Sequence, residues 1–368
     1  MPWRYPLFDL DYGPEEEEAV IEVIRSGWIT QGPKTEEYER ELARYFGVKY
    51  AVATSSGTTA LHLAYMASGI KRGSKVIVPS LTFVATVSPL LWIGATPLFV
   101  DIHSLKYPNL DPEEVEKHFR EADAVIFVHY AGYTKFIEEI RDIARKHNLI
   151  LIEDASHAIG SKIGEKFAGT FGNAGAFSTF SNKNLSTGEG GFILTDDENV
   201  YRKARLLRSH GMTTSSYSKY TRGDTLYDVV EIGFNYRMTE ITAAIGLVQL
   251  KKLKGKNQKR TKLVETYRKL LSDEFLIPFD DYENSANYIF PIVLPESWNR
   301  EETAKRLATR GIQTSVHYPA VHLFTAFKDH RVDLPITEEF SRRELTLPLY
   351  PSLEVEDIEK ISEALKAK

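Results

Sequence analysis

Between Tyr50 and Asp154 the chain alternates five short apolar runs with amphipathic segments, and no other feature constrains the fold as tightly. Tyr50–Thr54, Lys75–Val78, Thr96–Val100, Ala124–His129 and Leu149–Asp154 read as strands. Gly57–Ser68, Thr82–Ile93, Pro112–Phe119 and Lys135–His147 read as the helices between them. The strands are apolar along most of their length rather than at every second position. Such strands are covered on both faces, so the pattern predicts an α/β fold with a large, mainly parallel sheet.

The flanking segments extend this frame. A first helix is expected from Pro14, with Glu15–Glu18 suiting the positive end of its dipole, up to Gly27. A second is expected over Thr35–Phe46, closed by Gly47. The turn-rich GWITQGP between them places Trp28, Thr30 and Gln31 where they either line a pocket or pack. Beyond a helix over Asn199–Ser209, the polar stretch His210–Val230 reads as a long functional loop. Thr239–Asp273 then keeps helical periodicity for more than thirty residues. At 368 residues the chain exceeds one ordinary core, and a helix that long suits a bridge between domains. The expected division is residues 1–250, an N-terminal segment with the large domain, and 251–368, a small C-terminal α/β domain. The latter would contain the strand YIFPIVL, a helix in REETAKRLATRG and a last helix from Val355.

Composition removes several function classes. A formal net charge of −5 gives no basic footprint for nucleic acid. The absence of cysteine excludes disulfides, thiolate metal sites and thiol nucleophiles. Arg4, Asp9 and Asp11 interrupt the first residues, so no secretory leader is read there, and a cytoplasmic protein is expected. The run Val87–Val100 is too short to span a bilayer and contains two prolines and a glycine, so no membrane role is expected. Neither GxGxxG nor GxxxxGK[ST] occurs, so a nicotinamide or P-loop site is not signalled.

Chemistry gathers around Ala176–Gly191, AFSTFSNKNLSTGEGG, where an apolar strand breaks into a small-residue loop and a second strand follows. Lys183 lies in that loop among Ser, Asn and Thr. Close to buried strands it can act as a neutral amine nucleophile; otherwise it is an exposed loop lysine. Ser55–Leu61, between a strand and a helix, reads as a phosphate cradle at a helix N-terminus or as a plain capped start. Asp154 ends an apolar strand, where open α/β sheets bind ligands, with His157 three residues on. It can hold a pyridinium proton or cap a helix. Together the lysine, the strand-end aspartate and the cradle at Gly57, Thr58 and Thr59 point to pyridoxal 5′-phosphate. Phe83 is a candidate to stack on its ring, or a core aromatic.

Six blocks in order carry a resemblance: GWITQGP, SSGTTALHLA, VPSLTFVATVSPLLWIGATPLFVDI, EDASHAIGS, AFSTFSNKNLSTGEGG and GFNYRMTEITAAIGLVQL. Across nearly its whole length the chain resembles the DegT–DnrJ–StrS family of fold-type-I nucleotide-sugar aminotransferases. The resemblance implies Lys183 as the Schiff-base lysine, Asp154 at the pyridine nitrogen, His157 near the ring hydroxyl and Phe83 over the ring. It implies Thr58, Thr59 and Ser178 at the phosphate. Asn235 would reach the phosphate of a neighbouring subunit in a homodimer with shared sites. Thr30, Arg237, Tyr318 and His322 become candidates for substrate contact. The implied reaction moves an amino group, with L-glutamate as the expected donor, to a nucleotide-linked keto-sugar. Related sugar dehydratases carry His in place of Lys183, which disfavours that alternative; a non-catalytic sensor would not need the complete set. Thr134–Phe136 departs from the family's usual segment after VHYAGY.

Overall fold

Seven strands form one sheet in the computed structural model, which describes residues 3–214, 216–222 and 226–367. They are β1 (Tyr50–Thr54), β2 (Lys75–Pro79), β3 (Thr96–Val100), β4 (Ala124–Val128), β5 (Ile150–Asp154), β8 (Ala174–Ser178) and β9 (Gly191–Thr195). Between β5 and β8, β6 (Lys162–Ile163) and β7 (Lys166–Phe167) make a small separate hairpin that the sequence reading did not include. The order across the sheet is β1-β9-β8-β5-β4-β2-β3. Only β9 runs against its neighbours, on both sides. The other pairings, β2 with β3 and β4, β4 with β5, and β5 with β8, are parallel.

This topology positions the site. β1, β2, β4, β5 and β8 all end at one edge of the sheet, and β9 begins there. Thr54 and Ser178 both pair with Gly191, while Asp154 pairs with Val128 and Ala176. The segments that follow those strand ends must therefore converge, as the rule for ligand sites in open α/β sheets requires.

Alternate residues of the strands feed opposite cores, since strand side chains point to opposite faces. Val76, Val78, Ile126 and Ile152 join a cluster with the helix α3 (Gly57–Ala67). Ile77, Val125, Phe127 and Leu151 join another, under the helices Pro112–His118 and Ile137–His147. Helix Glu240–Leu271 supplies Leu247, Leu250 and Leu253 to a third cluster, then Leu263, Tyr267 and Leu271 to a fourth. That fourth cluster is built on β10 (Phe290–Val293), β11 (Glu344–Leu347) and the helices Arg300–Thr309 and Val355–Lys366. Tyr5 belongs to it as well, held by backbone bonds to Gly311 and Gln313.

Two segments differ from expectation. Thr82–Ile93 is not one helix: a 3-10 turn at Val84–Thr86 precedes a helix over Ser88–Ile93. Pro89 lacks an N–H and fits the first turn of a new helix, not the interior of an old one. Inside His210–Val230, the structure contains a helix, Ser216–Arg222, where the sequence suggested a loop. Tyr217 and Tyr220 of this helix pack on Trp28, with ring centroids 5.3 and 5.0 Å apart. Part of that stretch, residues 215 and 223–225, lies outside the described residues. Helix Pro335–Arg343 and β11 were also not read from the sequence.

Helix α2 (Pro33–Phe46) shows how the N-terminal loop is locked. Its N-cap, Gly32, has no side chain to cap with, so a buried carboxylate from another helix does so. Glu240 accepts the N–H groups of Gly32, Lys34 and Thr35 and the Thr35 hydroxyl, at 2.6–2.8 Å. A negative charge at a helix N-terminus satisfies its orphan donors and its dipole together.

Candidate active site

A cavity of about 330 Å³ opens where the strand ends converge. Lys183 lies in the loop from β8 to β9, and its ammonium sits 3.9 Å from the centre of the Tyr288 ring. Burial lowers its pKa from the usual lysine value to about 7, opposed by the nearby Asp154 charge. At neutral pH a large share of this amine is unprotonated, which a nucleophilic or proton-carrying lysine requires.

Asp154, the last residue of β5, faces the same cavity. Its Oδ2 accepts the Thr86 hydroxyl at 2.7 Å, and its Oδ1 accepts the Ser156 N–H at 3.1 Å. Thr86 is itself bonded to the hydroxyl of Thr82, at 2.6 Å, and Thr82 lines the cavity. Asp154 is thus oriented by a hydroxyl pair and by its own turn.

Opposite lies the N-terminus of α3. Ser56 and Thr59 form a reciprocal cap, with the Thr59 hydroxyl donating to the Ser56 carbonyl at 2.8 Å and accepting the Ser56 N–H at 3.0 Å. Thr59 does not line the cavity. Its hydroxyl is bonded within the cap instead. Among the described residues the N–H groups of Gly57 and Thr58 take no partner, and both residues border the cavity. A methyl group on Gly57 would lie 2.6 Å from Cβ of Ser178, so only glycine lets the helix end approach β8 this closely. Open backbone donors at a helix N-terminus, with Ser178 beside them, suit a phosphate.

His157 and Tyr318 close another wall, their Nε2 and hydroxyl 2.7 Å apart. Burial, with Lys183 and His317 nearby, holds the His157 pKa well below the usual histidine range, so its ring is neutral. Phe83 is 56% exposed and lines the cavity, its ring 5.8 Å from that of Tyr318. It is a wall residue, not a core aromatic.

Besides Thr59, four candidates are not brought into this cavity. His322 is fully buried, with Nδ1 2.6 Å from the Ser80 hydroxyl and Nε2 3.2 Å from Glu338, so packing and hydrogen bonding account for it. Thr30 and Asn235 are exposed and Arg237 is half-buried, all outside the lining. Conversely, Tyr288, His317, Asn182 and Thr86 belong to the site or its support; Asn182 and Thr86 lie within the resembling blocks, but their residue type did not mark them individually. Tyr288 arrives from the loop before β10, 105 positions beyond Lys183, a juxtaposition that no local motif encodes.

The lysine, the strand-end carboxylate and the open helix end fit pyridoxal 5′-phosphate: an amine for its aldehyde, an acceptor for its ring nitrogen, donors for its phosphate. No helix among the described residues is long and apolar enough to cross a membrane.

Comparison with known proteins agrees with this cofactor. The model of the DegT/DnrJ/EryC1/StrS aminotransferase family matches residues 11–366. The spore coat polysaccharide biosynthesis protein SpsC of Bacillus subtilis is 35% identical over all of this chain and 96% of its own. PseC of Helicobacter pylori, an aminotransferase of pseudoaminic acid biosynthesis, superposes with a TM-score of 0.91 at 31% identity, covering 99% of this chain and 98% of PseC. A variant of the GDP-4-keto-6-deoxymannose-3-dehydratase ColD, solved with GDP-perosamine bound, superposes with a TM-score of 0.92 at 27% identity, covering 99% of this chain and 100% of that one. The chain belongs to the DegT/DnrJ/EryC1/StrS aminotransferase family, a family of pyridoxal-phosphate-dependent sugar aminotransferases.

Proposed function

We propose that the protein transfers an amino group from L-glutamate to the keto carbon of a nucleotide-linked sugar, working as a homodimer with shared sites. The observation that carries this reading is Lys183 in one cavity with Asp154 and the helix end at Gly57 and Thr58. Bound pyridoxal phosphate supplies an electron sink that stabilises negative charge on the carbon bearing the nitrogen.

The chain's own residues do the rest. Lys183 binds the cofactor through its amine; once freed, it carries a proton to and from the substrate carbon. An amine poised near neutral pH serves both directions. Asp154 holds the proton on the ring nitrogen, its own orientation set by Thr86 and Ser156. Gly57, Thr58 and Ser178 would hold the phosphate, Phe83 would lie against the ring and His157 would stand near the ring hydroxyl, all of them lining the one cavity. Lysine at position 183 favours transfer over dehydration, because the resembling dehydratases carry histidine there.

Adding L-glutamate to the loaded enzyme is expected to bleach its visible absorption band and release 2-oxoglutarate. A band that persists would reject glutamate as donor.

The shared site draws support from the residues that precede Asn235 in the chain. Leu226, Val230 and Ile232 are 90, 58 and 84% exposed, an apolar run that a partner subunit would cover. Asn235 is itself outside its own chain's cavity. Asn235→Ala is expected to weaken cofactor retention at least about fivefold, by loss of one hydrogen bond to a charged group. Equal cofactor affinity, measured by equilibrium dialysis, would remove Asn235 from the site.

A further inference from the structure

The hydrogen bonds of His157 have a direction, and it determines what Tyr318 can do. The N–H of Ala131 points at His157 Nδ1, 3.3 Å away. A peptide N–H only donates, so Nδ1 is an acceptor and carries no hydrogen. A neutral imidazole then has its hydrogen on Nε2. That atom lies 2.7 Å from the Tyr318 hydroxyl oxygen and donates to it. The phenol's own hydrogen is therefore not used in this contact. Among the described residues the Tyr318 hydroxyl has no second partner, and Tyr318 lines the cavity beside Phe83.

We propose that Tyr318 donates its phenolic hydrogen to an acceptor oxygen of the ligand bound over Lys183, set in that role by a His157 tautomer that the Ala131 amide selects. An N–H pointing at the phenol oxygen also polarises its O–H, which strengthens the outgoing bond. Sequence resemblance makes Tyr318 only a candidate for contact; the geometry assigns it the donor role and makes His157 and Ala131 its positioning groups. The surroundings keep this arrangement in register. Tyr130 donates to the carbonyl of His317, the Glu344 carboxylate accepts the His317 N–H at 2.8 Å, and the His317 Nδ1 lies 2.8 Å from the Thr346 hydroxyl. Tyr318 is thus carried on a buried, bonded segment.

The acceptor oxygen belongs either to the cofactor ring or to the substrate, and only this identity rests on the proposed transamination. The tautomer is tested without it, by ¹⁵N NMR of the cofactor-free protein labelled at histidine, with His157→Gln identifying the resonance. The expected result is hydrogen on Nε2 and a bare Nδ1; hydrogen on Nδ1 would overturn the proposal even if amino transfer were confirmed. Tyr318→Phe, which removes only the hydroxyl, locates the acceptor. A shifted visible band in the loaded, substrate-free enzyme places it on the cofactor. An unshifted band with kcat/KM lowered about tenfold, the value of one good hydrogen bond, places it on the substrate. If neither the band nor kcat/KM moves, Tyr318 donates to no ligand.

Discussion

Lys183→Ala is expected to fold as the parent does and to lose amino transfer by on the order of 10⁴-fold or more, because binding and proton transfer both depend on one amine. The Lys183 amine lies over the Tyr288 face and has no hydrogen-bond partner among the described residues, so truncation leaves no buried partner unsatisfied. Circular dichroism should therefore be unchanged while the lysine-dependent visible band is lost. Turnover within tenfold of the parent would sink the assignment. The pKa also predicts a pH profile. Cofactor capture needs the unprotonated amine, and burial has moved its pKa down to about 7. The rate of loading onto the cofactor-free protein should rise as pH rises through about 7 and level off above it. An ordinary lysine would still be gaining at pH 9 to 10, roughly its usual range, so a rate that climbs unabated to there would show that burial does not tune this amine.

Glu39→Gln is expected to have the largest effect on stability, about 3–5 kcal/mol, because it strands a buried guanidinium. Arg208, at the end of helix Glu198–Arg208, is 2% exposed and pairs with Glu39 of α2. The Glu39 carboxylate also accepts the Ala53 N–H at 2.9 Å, and Arg208 donates to the Ala53 carbonyl at 2.6 Å. Both charges therefore clamp β1 three residues before Ser56. Losing the carboxylate leaves an uncompensated cation under the strand that leads into the helix-end cradle. The denaturation midpoint should fall, and cofactor retention should weaken with it. Combining Glu39→Gln with Arg208→Met removes the stranded charge and should recover much of the loss. A single-variant loss below about 1 kcal/mol would show that the pair is solvated in a way its burial does not suggest.

The legible and illegible parts of this molecule divide by contact range. Strands β1 to β5 and the helix over Glu240–Leu271 could be read because their apolar runs and periodicity are local properties of the chain. The break at Pro89 was equally local, yet continuous apolar character masked it. β11 is four residues long and follows a charged helix, so its sequence alone carried too little pattern. The helix inside His210–Val230 was illegible for another reason: Ser216–Arg222 is short and polar, and packing of its tyrosines on Trp28, nearly two hundred residues earlier, accompanies it.

The same division runs through the site. Lys183, Asp154 and the glycine-threonine turn were recognisable because their chemistry depends on residue type at strand ends and helix starts. Thr59 and His322 do not line the cavity, and the sequence could not show this, because a hydroxyl or an imidazole serves a cap or a packed interior as readily as a ligand, and only distance separates these uses. By itself the sequence determined the sheet and its family and marked Lys183 as the candidate amine, since each follows from local composition and order. Only tertiary structure decided how that lysine is tuned, how Asp154 is oriented and which way the His157 hydrogen points. Those depend on desolvation of Lys183, which lies over the Tyr288 ring, and on single donor–acceptor contacts between Asp154 and Thr86 and between His157 and Ala131, groups that meet only when the chain is folded.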